Sequence, residues 1–179
     1  MYKPFKIGAL AVLATALPGS TLRQLSLDDM ILQSTMIVHG TIQPGTARFH
    51  GSMIFTHFTV QVSETYKGSP TNQIDIGVPG GAVNNLVQRY AGTPALSPTQ
   101  DYVLFLWTSK TGLTQVIGLS QGLFSVISQG GGAPMVVRAA AAERMLNAIG
   151  QPVQDNDIRM SLSDLKTHIQ SVLSGQSAQ

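Results

Sequence analysis

The stretch Ile54-Phe55-Thr56-His57-Phe58-Thr59-Val60-Gln61-Val62-Ser63-Glu64-Thr65-Tyr66 decides the fold class. Ile54, Phe58, Val60 and Val62 share one parity, and His57, Thr59, Gln61, Ser63 and Thr65 share the other. Successive side chains of an extended strand point to opposite faces, so this division predicts a long strand with one buried face. Lys67-Gly68-Ser69-Pro70 is a cluster of turn residues. Beyond it Ile74, Ile76 and Val78 resume the alternation until Pro79-Gly80-Gly81 stops it, which predicts a return strand.

Working toward the N-terminus, Met36, Val38 and Ile42 alternate with Ile37, His39 and Thr41, another strand with one apolar face. Gly40 falls on that apolar face and points to a bulge or a close backbone approach. Before it, Ser26 with Asp29 three residues later is a helix cap, with Leu25 and Met30 spaced to staple the entry, so a short helix is expected to end near Ser34.

Working toward the C-terminus, residues 82–100 carry Asn84-Asn85, Gly92, Pro94 and Pro98 with little periodicity and read as a long excursion. Tyr102 to Trp107 is continuously apolar, as a strand buried on both faces should be. Leu113 to Ile117 and Leu123 to Ile127 read as two short strands closing a hairpin with each other across a glycine-containing loop. Gln129-Gly130-Gly131-Gly132 has linker chemistry and precedes a strand at Met135 to Val137. The run Ala139 to Ala142, with Met145, Leu146 and Ile149 sharing a face before Gly150, predicts a helix. Ser161 with Asp164 caps a second one, carried by Leu162, Leu165, Ile169 and Val172, and a polar tail is expected from Ser174.

Short strands without βαβ alternation make the expected fold mainly β: a closed or partly open antiparallel barrel of OB type, or a β-sandwich, with a short N-terminal helix and C-terminal helices. At 179 residues the chain has room for one such domain, spanning residues 17–173, and needs neither metal nor disulfide to bury a core.

Lys3 and Lys6 precede the apolar run Ile7 to Ala14, and Ala14-Thr15-Ala16 has A-x-A spacing, so residues 1–16 read as a secretory signal peptide. A membrane-spanning helix needs about 20 apolar residues, and Pro18-Gly19 interrupts sooner. Removing that segment leaves Lys and Arg equal in number to the nine Asp and Glu, so no basic stripe remains to meet phosphates and no nucleic-acid partner is expected. Only 11% of residues are charged, well under the usual quarter, which suits an exported, secreted or periplasmic protein. The absence of cysteine excludes disulfides and thiolate metal sites.

Three segments carry a family resemblance: Met36-Ile37-Val38-His39-Gly40, then Phe58 through Thr65-Tyr66-Lys67-Gly68, then Tyr102-Val103-Leu104-Phe105. Their order resembles uncharacterised bacterial exported β-barrel proteins and is similar to netrin-like domains, the OB-fold group that includes tissue inhibitors of metalloproteinases. The resemblance covers residues 36–108. It implies a barrel whose loops bind a partner, but those inhibitors chelate the protease zinc through an amino-terminal cysteine, which this chain lacks.

Gly118-Leu119-Ser120-Gln121-Gly122 matches the G-x-S-x-G nucleophile elbow, which needs a strand before it and a helix after it; Leu123 to Ile127 is strand-like, so the motif reads as a glycine-flanked turn. His39 and His57 lie on the polar faces of strands that could be neighbours, with Asp75 able to approach, and His50 lies nearby in sequence; three ligands are wanted for zinc and a third is missing, so these read as solvent-facing histidines. Phe55, Tyr66, Tyr102, Phe105 and Trp107 could stack bases or sugars but suit a core better. Pro79-Gly80-Gly81 and Gly130-Gly131-Gly132 lack the context of a phosphate cradle. The expectation is therefore an exported, non-enzymatic binding module for an extracellular or periplasmic protein, with no catalytic, cofactor or metal residue assigned. The alternatives are a secreted hydrolase using Ser120 or a histidine-bound metal, and a self-associating structural subunit.

Overall fold

The computed structural model describes residues 21–128 and 130–176. The expected signal peptide, residues 1–16, lies outside the described residues. Among those described the chain is mainly β, with fourteen strands and two helices.

The strand read first is β4, Met53–Lys67, and its fifteen residues serve three neighbours. β5 (Gln73–Pro79) pairs with one edge. On the other edge β2 (Met36–Ile42) takes the C-terminal half and β3 (Thr46–His50) the N-terminal half. The β2–β4 register slips at His39/Gly40, and a Cβ on Gly40 would stand 2.1 Å from the Gln61 carbonyl oxygen. The glycine is thus the close backbone approach its place in the pattern predicted.

β8 (Asp101–Thr108) lies on the far edge of β2, and Tyr102 to Leu106 are buried on both faces. Its outer edge is shared. β10 (Leu123–Ile127) pairs with the start of β8, and β9 (Thr114–Val116) pairs with its end. The two segments expected to pair with each other therefore lie in line on one edge. The intervening turn explains this: Ile117 N–H donates to Phe105 C=O and Phe105 N–H donates to Gly122 C=O, both at 2.9 Å, so the turn itself is stitched to β8. β11 (Met135–Arg138) and β14 (Ile158–Ser161) extend the sheet beyond β10. The hydrogen-bonded path runs from β14 to β3 and does not close into a barrel; β5 and β9 are in contact but share no ladder among the described residues.

Each face of the sheet has its own core. Ile37, Val103, Phe105, Phe124 and Val136 pack against Met30 and Ile31 of α1 (Leu27–Gln33) and Leu165 and Ile169 of α2 (Leu162–Gln176). Val38, Ile42, Val60, Ile76, Leu104, Leu106 and Val116 fill the opposite, curled side. Both helices begin as the capping pattern dictates: Asp29 N–H donates to Ser26 Oγ and Asp164 N–H to Ser161 Oγ, each at 3.0 Å. α2 continues past Ser174, where a tail was expected.

The helix expected over 139–149 does not form, so α2 stands alone where C-terminal helices were anticipated. Arg144–Leu146 is instead strand β12, held between β1 (Thr21–Arg23, parallel) and β13 (Pro152–Val153). Side-chain acceptors occupy the amides a helix would use. Asp157 accepts from Ala140 N–H, Asp155 from Ala141 N–H, and Asn147 from the amides of Ile149 and Gln151. Met145 is buried, whereas Ile149 is 77% exposed.

Candidate functional site

Ser120 sits in the turn between β9 and β10, and the following residues are strand, so the helix of a nucleophile elbow is missing. No described histidine bonds to it: His39 pairs with Asp101, His57 with Asp75 and His168 with Asp28.

Of the strand histidines His50 is exposed as expected, whereas His39 and His57 are not solvent-facing. His39 Nε2 lies 2.8 Å from Asp101 Oδ2, beside Tyr66, whose ring also carries the Lys166 ammonium 5.5 Å from its centroid. Lys166 pairs with Glu64 at 2.7 Å. The Tyr66 hydroxyl is buried without a hydrogen bond among the described residues, and burial, followed by the Glu64 charge, pushes the phenol above its ordinary value. His57 is 10% exposed, and Nδ1 stands 2.8 Å from Asp75 Oδ2, the carboxylate the sequence placed within reach. Arg48 Nη2 donates to the same carboxylate oxygen at 3.3 Å and lies 2.9 Å from Nδ1.

His57 Nε2 is buried and has no hydrogen-bond partner among the described residues. A carboxylate-oriented imidazole with a spare nitrogen is the arrangement of a metal ligand or a general base. Here Leu113 and the His57 ring meet over Gly77, where a Cβ would stand 2.7 Å from Leu113 Cδ1 and 3.7 Å from His57 Cε1. No group of three His, Asp or Glu able to hold a metal occurs among the described residues. His39 and His57 remain apart: His39 registers with Glu64, and His57 with Thr46 and Gly77.

Of the aromatic residues, Phe55, Tyr102 and Phe105 belong to the interior, and Trp107 is exposed. Other exposed apolar residues lie at the end of the sheet where two hairpins meet. The first is the β3–β4 hairpin, which exposes Phe49 and Met53. The second is formed by β6 (Gly81–Val83) and β7 (Leu86–Gln88) and exposes Leu86 and Val87 at 49% and 51%. Its Asn84-Asn85 turn has φ of 48° and 65°, the left-handed pair that a two-residue hairpin requires. Gln88 joins the hairpins: its Oε1 accepts from Ile54 N–H at 2.6 Å, and its Nε2 donates to Ser52 C=O at 3.1 Å.

Where β7 ends lies a cavity of about 390 Å³, with Phe58, Val78 and Leu96 among its apolar walls and Gln88, Arg89 and Tyr90 among its polar ones. That volume lies within the range of small-ligand and side-chain pockets. Arg89 is exposed and makes no ion pair or side-chain hydrogen bond within the described chain. Residues 82–100, an aperiodic excursion in sequence, build this end; the usable signal is two adjacent asparagines, tolerant of positive φ, between Val83 and Leu86-Val87. Compared with known proteins, the chain matches no family model, no curated protein and no solved structure.

Proposed function

We propose that the protein is an exported, non-enzymatic binding module that engages a partner protein of the extracellular or periplasmic space through the end where the two hairpins meet. The observation that carries this reading is the exposure of Phe49, Met53, Leu86 and Val87 on two hairpins tied together by Gln88, with exposed Tyr90 just beyond, in a chain with few charges and a well-buried core. Export rests on the basic, apolar and small-residue layout of residues 1–16. The curled arrangement β5-β4-β2-β8-β9, with an apolar interior and β9 against β5, supports the finer reading of a partly open, OB-like barrel similar to netrin-like domains.

The test is affinity capture from the host's secreted and periplasmic fractions with residues 17–179 as bait, beside the same bait carrying Leu86→Ser and Val87→Ser. A protein retained by the first bait and lost from the second, with circular dichroism unchanged, supports the reading. Retention indifferent to the double substitution, or turnover of an ester or peptide substrate that disappears on Ser120→Ala, overturns it.

A further inference from the structure

We propose that the open edge of β7 and the cavity at its C-terminal end bind an extended peptide segment of the partner, one that sets a carboxylate against Arg89 and an apolar side chain against Phe58 and Leu96. This rests on the binding-module reading and adds the chemistry of what is bound.

Three observations converge. The first is an unfilled edge: β6 and β7 form a two-stranded sheet of their own, so among the described residues β7 has a partner on one side only. In the register Val83↔Leu86, Ala82↔Val87, a two-residue hairpin makes the Val83–Leu86 pair the hydrogen-bonded one. The N–H and C=O of Val87 then point away from β6 and are free to pair with an added strand. Natural edges are guarded by charge, proline or a covering segment, yet this one presents Leu86 and Val87, about half exposed. Strand addition is a recurring mode of peptide recognition, with backbone bonds supplying affinity and alternate side chains supplying selectivity.

The second is the cavity itself. Phe58 and Leu96 pack against the buried cluster on the curled side of the sheet, so its floor is continuous with the core and fixed in place. An apolar side chain entering it would add to surface that is already rigid.

The third is charge. Arg89 follows β7 directly, and no Asp or Glu lines the cavity. A guanidinium beside an apolar cavity, without an ion-pair partner among the described residues, favours a segment bearing Asp, Glu or a terminal carboxylate.

A random heptapeptide library displayed on phage and selected against the purified chain tests this. The expected result is enrichment of sequences in which an acidic residue or free terminus accompanies alternating apolar residues. A synthetic peptide of the most enriched sequence should bind in fluorescence anisotropy, and Arg89→Gln should weaken it about fivefold. Replacing its acid by lysine should weaken it at least as much. Val87→Pro, which removes the outward N–H at a position where an edge tolerates proline, should also weaken it about fivefold. Arg89 is exposed and makes no ion pair or side-chain hydrogen bond among the described residues, so Arg89→Gln is expected to leave circular dichroism unchanged, which separates loss of affinity from misfolding.

No enrichment, enrichment without acidic character, or affinity indifferent to both substitutions overturns the proposal. Concentration-dependent dimerisation abolished by Val87→Pro also overturns it, because a second copy would then occupy the edge. Partner capture that depends on Leu86 and Val87 while no peptide binds would leave the binding-module reading standing and remove only this inference.

Discussion

The central strands and the corner spanning residues 138–157 achieve order by different means. β2, β4 and β8 are held by burial: Val38, Val60, Val103, Leu104, Phe105 and Leu106 are all removed from solvent. The corner has Met145 in its interior but relies on polar staples. Arg138 makes a bidentate pair with Asp155, at 2.7 and 2.9 Å, between side chains that are 5% and 3% exposed. Asp155 also accepts from Ala141 N–H and from Gln24 Nε2. Burial is non-directional and scales with area, whereas a buried ion pair stabilises only while every partner is present. The central sheet should therefore lose stability in graded steps, and the corner should fail as a unit.

The largest expected effect belongs to the sheet. Phe105→Ala empties the space between Phe124 and the helices and should cost about 4 kcal/mol of global stability in urea unfolding, with hydrogen-exchange protection reduced throughout. Asp155→Ala leaves Arg138 buried and unpaired and should cost about 3 kcal/mol, with protection lost first over residues 138–157. Uniform loss of protection in both variants would break the contrast.

Acid should sharpen it. Burial alone would raise the Asp155 pKa, but the bonds from Arg138, Ala141 N–H and Gln24 outweigh it and hold the group at about 2. A carboxylate with a depressed folded-state pKa stabilises above its unfolded value and loses that contribution as pH falls toward the folded one. About 2 kcal/mol should vanish between roughly pH 4 and pH 2, and Asp155→Ala should lack that segment of the profile. The smallest effect is on α1: Ser26→Ala removes its cap and should cost about 1 kcal/mol.

The same contrast explains what could be read in advance. Alternation exposed β4 and β5, the continuous apolar run exposed β8, and Ser26-x-x-Asp29 exposed α1, because in each case the stabilising force repeats with the period of the backbone. The corner has no such period. Ala139 to Ala142 favour a helix as isolated residues, yet the acceptors that stop one, Asp155 and Asp157, lie well downstream and are brought near only by the fold. Asp75 was placed near His57 because both fall on one face of neighbouring strands. Arg48 was not, because it comes from β3, a strand with little apolar content to reveal it.

The parallel pairing of β1 with β12 has a consequence in time. Gln24 reaches Gln154 across 130 residues, and β1 cannot find its neighbour until most of the chain is available. Closing a loop of that length costs about 4 kcal/mol of chain entropy, so the hairpins around β4 should assemble early and the clasp between the ends late. A chain built this way stays unlocked while it is being made.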